Sequence, residues 1–345
     1  MTLKAIFGIQ YPIIQAPMAG VQGSQLAVAV SNSGGLGSLP CAMLNTSGLR
    51  SELEAIRAGT SKPYNVNFFA HVPPKADPER EKIWLEELLP FYKEFDINPR
   101  DILSGSGRTP FDQANADVLE HFKPPVISFH FGLPSKNLLE RVRSWGAKVM
   151  SSATTVEEAI WLESHGIDVI IAQGLEAGGH RGIFLTKNLA TQTPMRELLA
   201  NVLKAVKLPV VAAGGISTAE QVADVLRMGA AGVQIGTAYL LCPESRTSEP
   251  HREALKSPAA RNTVITNLFS GGPARGIGNR FIKECGPLSE KTPPFPLAGA
   301  AVAPLRTKAE ADSSGDFSPL WAGQNASSCQ EIPAAELTAQ LGHLT

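Results

Sequence analysis

Eight short runs rich in Val, Ile and Ala recur along this 345-residue chain, each closed by glycine or a polar cluster and followed by a longer stretch. They fall at 13–16, 36–39, 64–69, 126–129, 148–151, 169–173, 210–213 and 232–235. Helical periodicity between them predicts crossover helices at 25–33, 138–145, 156–165 and 218–228, the last with Ser217 as N-cap and Gly229 as its stop. Strands apolar on both faces need cover on both sides. Eight of them alternating with helices predict a closed α/β architecture, a parallel (β/α)8 TIM barrel, more than an open doubly wound sheet.

Two stretches break this rhythm. The first, 70–125, opens with Pro73-Pro74, carries a charged helical segment at 77–95, and is far too long for an ordinary βα loop. The second runs from Cys242 to about Pro304 and holds Ser270-Gly271-Gly272-Pro273 and a Pro-rich segment at 292–296; the chain then returns through Leu320-Trp321-Ala322-Gly323-Gln324. The expected division is a barrel made of 1–70, 125–242 and 305–345, with 71–124 and 243–304 forming a smaller, mostly helical cap over its mouth. Covering the outside of the barrel is the other arrangement open to these insertions.

Charge and cysteine content narrow the function. Lys and Arg number 31 against 32 Asp and Glu, a net charge of −1 that leaves no electrostatic footprint for nucleic acid or an anionic membrane. A small-molecule partner is expected. Cys41, Cys242, Cys285 and Cys329 stand far apart, with no close pair to clip zinc or form a redox couple, which fits a reducing compartment. The start of the chain lacks the basic end and apolar run of a signal peptide, and no long unbroken apolar stretch occurs, so a cytoplasmic protein is expected.

Loops at the carboxyl ends of barrel strands carry the chemistry. The last two predicted strands run into Gly214-Gly215-Ile216 and Gly236-Thr237-Ala238, where missing side chains let backbone N–H groups approach an anion. These turns suit a phosphate, as carried by FMN or a phosphosugar; tight turning alone would also explain them. Neither a strand–GxGxxG–helix unit nor a GxxxxGK[ST] run is present. His130, in Ser128-Phe129-His130-Phe131-Gly132, stands at a strand end between two aromatics and is a candidate general base.

Asn67 could hydrogen-bond the edge of a heterocycle or satisfy its own turn. Met18, in Gln15-Ala16-Pro17-Met18-Ala19-Gly20, could give a soft contact to a flat ring or belong to the core. Gln173 leads into Gly174-Leu175-Glu176-Ala177-Gly178-Gly179-His180-Arg181-Gly182, a loop suited to folding over a planar polar ligand. Its Glu176 and His180 do not share a helix face and have no third ligand nearby, so no metal is expected. No Gly-x-Ser-x-Gly elbow points to a hydrolase.

Taken in order, Gln15 to Gly20, Asn67-Phe68-Phe69, Ser128 to Pro134, Ala172 to Gly182, Ala213 to Ile216 and Gln234 to Thr237 resemble the nitronate monooxygenases of the bacterial class I. The resemblance spans most of the chain; one departure is Ala70, where the family carries cysteine. It implies non-covalent FMN in a barrel, with Met18, Asn67, Gln173, Gly178, Gly214, Gly215, Gln234, Ile235, Gly236 and Thr237 as cofactor contacts and His130 as the catalytic histidine. It also implies detoxifying oxidation of alkyl nitronates by O2, propionate 3-nitronate above all, to an aldehyde or oxo acid and nitrite. A protonated His130 could hold the nitro oxygens, and a neutral one could remove the α-proton of a nitroalkane. The rival readings are an FMN-dependent NADH:quinone reductase or enoyl-thioester reductase of the same barrel type, and a flavin-binding carrier or sensor.

Overall fold

A computed structural model describes residues 2–102 and 108–345; residues 103–107, inside the first excursion, lie outside the described residues. The strands in chain order are β1 (Ile13–Gln15), β2 (Gly37–Pro40), β3 (Tyr64–Phe69), β4 (Val126–His130), β5 (Lys148–Ala153), β6 (Val169–Gln173), β7 (Gly179–His180), β8 (Val210–Ala213), β9 (Gly232–Ile235), β10 (Thr263–Thr266) and β11 (Ala274–Ile277). Eight of them, all but β7, β10 and β11, pair in parallel in the order β1-β9-β8-β6-β5-β4-β3-β2. An Ile14–Leu36 bridge joins the two ends, closing a (β/α)8 barrel with helices between the strands.

Side chains sort by the two-residue period of a strand. Ile14, Met150, Ile171 and Val211 share the inner core with Leu3 and Phe7 of the helix Leu3–Phe7, while Ile13, Val149, Ile170 and Val210 join the outer core beneath the helices. On β3, β4 and β9 the residues in the outer core are Val66 and Phe68, Ile127 and Phe129, and Val233 and Ile235. Alternation therefore turns Asn67, Phe69, Ser128, His130 and Gln234 toward the barrel axis.

All eight expected strands are present. The helices Ser24–Asn32, Lys136–Ser144, Val156–Ser164 and Ala219–Arg227 lie where the periodicity put them. One cap is corrected: Thr218, not Ser217, is the N-cap of Ala219–Arg227, because its hydroxyl accepts from Gln221 N while the Gln221 side chain reaches back to Thr218 N, a reciprocal capping box. Asp77 likewise caps Pro78–Glu94 by accepting from Arg80 N.

The excursions build a second core from Trp84, Leu88, Phe91, Leu268, Phe281, Val302, Leu305 and Phe317, among others. Beside it lies a small antiparallel sheet in the order β10-β11-β7. Two helices bear on the expected boundaries. Helix Gln113–Phe122 contributes Ala116, Leu119 and Phe122 to the barrel's outer core, so it is a barrel helix that 71–124 had assigned to the cap. Helix Gly299–Ala311 runs across the 304/305 cut and places Leu305 and Ala309 in the second core. We propose a division by core: 71–102 and about 263–317 in the cap, the remainder of the described chain in the barrel.

Glu158, fully buried, anchors the segment that follows the His180 loop. Its carboxylate accepts from Thr154 N (2.7 Å), Thr154 Oγ1 (2.8 Å), Phe184 N (2.7 Å) and Leu185 N (3.2 Å). Glu158→Ala leaves the Thr154 N–H and hydroxyl buried without this acceptor and is expected to lower stability by about 3–5 kcal/mol, read from urea unfolding. A loss below about 1 kcal/mol would show that water replaces the carboxylate.

Candidate active site

A cleft opens at the carboxyl ends of the strands. Every residue singled out from the sequence lines it: Met18, Asn67, His130, Gln173, Gly178, Gly214, Gly215, Gln234, Ile235, Gly236 and Thr237. Their local geometry divides them into groups open to a ligand and groups already engaged.

On the β8–β9 side, the backbone N–H groups of Gly215, Ile216, Gly236 and Thr237 have no partner among the described residues. Gly215 holds φ +69, a left-handed conformation that favours glycine. Nearby Gly178 is packed so closely on Gly323 that an added Cβ would lie 2.6 Å from its nitrogen. Gln234 Oε1 is buried and unpartnered among the described residues. Such an acceptor is costly unless a ligand supplies the donor. Asn67 Nδ2 donates to Ser128 Oγ (2.9 Å) and Ser128 O (3.2 Å), leaving its Oδ1 as the free acceptor. Unpaired backbone amides together with unmatched side-chain amide oxygens fit a phosphate-bearing heterocycle.

Gln173 is engaged differently. Its Nε2 donates to the His180 carbonyl (2.9 Å) and its Oε1 accepts from Gly182 N (2.7 Å), so both ends of the side chain hold the 180–182 loop. Beneath that loop Arg181, fully buried, donates to the carbonyls of Gln173 and Gly174 and to Gln192 Oε1. Burial lowers its pKa to about 10, which still leaves it a cation at neutral pH. From the other side β11 pairs with β7, with Ala274 opposite His180. The loop is clamped by the barrel and the small sheet together.

His130 stands at the end of β4 as the sequence suggested, yet both its nitrogens are taken. Nε2 lies 3.1 Å from the His180 carbonyl, which can only accept, so this nitrogen carries the proton; Nδ1, 3.1 Å from Ser152 Oγ, then accepts from the hydroxyl. Burial, reinforced by the Arg181 charge, lowers its pKa to about 4. Both ring nitrogens of His130 are thus engaged, one with the loop carbonyl of His180 and one with Ser152.

His180 also lines the cleft and keeps one nitrogen open, a residue the sequence reading weighed only as half of a metal pair. Its Nε2 is 2.8 Å from Ser270 Oγ, while Nδ1 makes no hydrogen bond among the described residues. Phe69, Phe131, Phe295 and Trp321 surround it with ring centroids 5.1–6.2 Å away. Burial first, then the charge of Arg108, pushes its pKa well below the usual histidine value. Its signal in the sequence was its place in a glycine-broken loop after a barrel strand; Phe295, Trp321 and Arg108 come from distant segments and gave none. Phe131 adopts φ +69, a strained conformation for a bulky side chain.

His251, 3 % exposed, also lines the cleft; its Nε2 is buried and unpartnered, and burial together with the Arg306 charge lowers its pKa to about 4. A histidine depressed in the folded state contributes stability that is complete above its unfolded pKa of 6.5 and is lost as pH falls toward 4. Between those limits His251 is expected to remove on the order of 3 kcal/mol. Thermal melts of the wild type and His251→Phe from pH 7 to 4 check this; equal slopes would sink it.

Among the described residues no cluster of three or more His, Cys, Asp or Glu is placed to hold a metal, and no helix is long and apolar enough to cross a membrane. A sequence model described as nitronate monooxygenase matches residues 1–343. The chain is 41 % identical over 338 residues to a nitronate monooxygenase of Pseudomonas aeruginosa, covering 97 % of this chain and 96 % of that one. It is 41 % identical over 342 residues to one of Paraburkholderia phytofirmans, covering 98 % and 93 %. Among solved structures it resembles a nitroalkane oxidase from Streptomyces ansochromogenes (TM-score 0.88, 36 % identity, 99 % and 98 % covered). FabK from Thermotoga maritima shares the fold (TM-score 0.73, 24 % identity, 99 % and 94 % covered).

Proposed function

Because this chain belongs to the nitronate monooxygenase family, we propose that it oxidises alkyl nitronates with O2 using bound FMN, propionate 3-nitronate being the expected substrate. The observation that carries the cofactor reading is the row of unpaired N–H groups at Gly215, Ile216, Gly236 and Thr237 beside the orphaned Gln234 Oε1. Those amides would hold the phosphate, as glycine turns after the last two strands of such barrels do. Gln234 and Asn67 would meet the polar edge of the ring, and Met18 and Ala16 would bound it.

Bound there, FMN would supply the electron relay between nitronate and oxygen; two nitronates and one O2 then balance two aldehydes and two nitrites. The chain's own residues bind, orient and exclude water. Phe69, Phe131, Phe295 and Trp321 make a compact apolar pocket. We assign the proton-handling role to His180 in place of His130: its Nδ1 is free to take the α-proton of a neutral nitroalkane when Nε2–H donates to Ser270 Oγ. A nitronate arrives without that proton and needs no base.

Anaerobic mixing tests the reading. Prompt bleaching of the flavin by propionate 3-nitronate and not by NADH is expected, followed by oxygen uptake once air is admitted. Bleaching by NADH alone would assign the chain to a reductase, and bound flavin with neither response would leave a carrier or sensor.

A further inference from the structure

Arg108 is the single Lys, Arg, Asp or Glu among the described residues that line the cleft. Its guanidinium lies 5.7 Å from the Phe69 ring centroid and 5.8 Å from that of Phe295, two members of the cage around His180. It makes no ion pair or side-chain hydrogen bond among the described residues, and burial is the one influence on its pKa, a downward one. Next to it His71 is 9 % exposed with both ring nitrogens buried and unpartnered among the described residues, its ring centroid 5.1 Å from that of Phe295. Leaving a cation and a histidine unmatched in an aromatic pocket is costly unless an anionic group arrives with the ligand.

The anion could be the nitronate or a second charge on the same molecule. Chemistry favours the second. A nitronate loses negative charge as it is oxidised, so a cation on its oxygens would stabilise the ground state more than the transition state and slow the reaction. The same cation at the far end of the substrate binds both states equally. Its planar fork also matches a carboxylate through two parallel N–H···O bonds.

We propose that Arg108, with His71 as a further donor, receives a carboxylate on the substrate remote from the nitronate carbon, making this chain selective for carboxylated nitronates. This inference rests on the nitronate-oxidising function proposed above. It predicts binding discrimination located in KM.

The test compares kcat/KM for propionate 3-nitronate and propyl-1-nitronate, which carries a methyl group in place of the carboxylate, in the FMN-loaded wild type, Arg108→Met and Arg108→Lys. Losing one partner of a largely desolvated charge pair should cut the preference for the carboxylated substrate ~30- to 1000-fold in Arg108→Met, mainly through KM. Arg108→Lys should restore part of it. Flavin content and far-UV circular dichroism check that each variant is folded and loaded. A parallel loss on both nitronates would show that Arg108 serves the reacting group and would overturn the inference, as would an unchanged preference. If the wild type oxidises neither nitronate, the functional reading itself fails and takes this inference with it.

Discussion

His180→Phe is expected to lower turnover of a neutral nitroalkane by about 10²- to 10⁴-fold, the range for loss of a positioned general base, while turnover of the preformed nitronate falls far less. Phenylalanine keeps the packing against Phe295 and Trp321, 5.1 and 5.4 Å away between centroids, and removes only the nitrogens. The pair of substrates separates proton removal from everything else the pocket does. His130→Asn provides the contrast: a brace whose Nε2–H holds the His180 carbonyl should, when weakened, lower both turnovers together. Equal losses on both substrates in His180→Phe would return His180 to a merely structural role. A selective nitroalkane defect in His130→Asn would return the base assignment to His130.

The second large effect concerns the cofactor. Gly236→Val is expected to weaken FMN binding ~100- to 10⁴-fold, equivalent to losing two charge-assisted hydrogen bonds of about 1.5–3 kcal/mol each. The backbone there, at φ −114, is not left-handed, and an added Cβ would meet side-chain atoms, Ala16 Cβ at 3.2 Å and Met18 Sδ at 3.5 Å. The barrel should therefore fold normally and purify without colour. Flavin fluorescence titration gives the affinity, and a thermal melt of the apoprotein checks the fold. Retained yellow colour at wild-type affinity would mean that the phosphate lies elsewhere.

The barrel was legible because its strands are buried on both faces and so read as short apolar runs with their own punctuation, as in Val210-Val211-Ala212-Ala213. The cap was harder. Its core joins Trp84 to Phe281 and Phe317, contacts between segments far apart that leave no periodic trace within any one of them. Helix Gln113–Phe122 was hidden by its neighbours: a barrel helix at the end of a long insertion looks like part of the insertion until its buried face is seen against the outer core. The strands β7, β10 and β11 are short and mixed in polarity, too weak a signal to separate from loop.

The site divides along similar lines. Glycine turns, Gln234 and Asn67 could be located because chain order fixes which strand end each occupies and alternation fixes which way it points. Choosing between His130 and His180 depended on hydrogen-bond partners. One nitrogen held by a carbonyl and the other by a serine is the ground on which the base role is proposed for His180, and neither contact is written in the residues flanking His130. Arg108 follows no barrel strand directly; it stands out as the lone Lys or Arg among the described residues that line the cleft, in a space it shares with rings from other parts of the chain.

The closure of the barrel bears on how the molecule is made. β1 has its full ladder with β9, Ile13 opposite Val233, and touches β2, its neighbour in sequence, through one bridge. The rest of that seam is sewn by side chains: Gln15 Oε1 accepts from Ser38 N, and Gln22 donates to the Ser38 carbonyl. A nascent chain leaving the ribosome thus carries an N-terminal strand with no adequate partner until β9 has been synthesised. Ring closure is then a strongly non-local step of assembly, and a chain that has not reached β9 presents this strand's unpaired edge to whatever it meets.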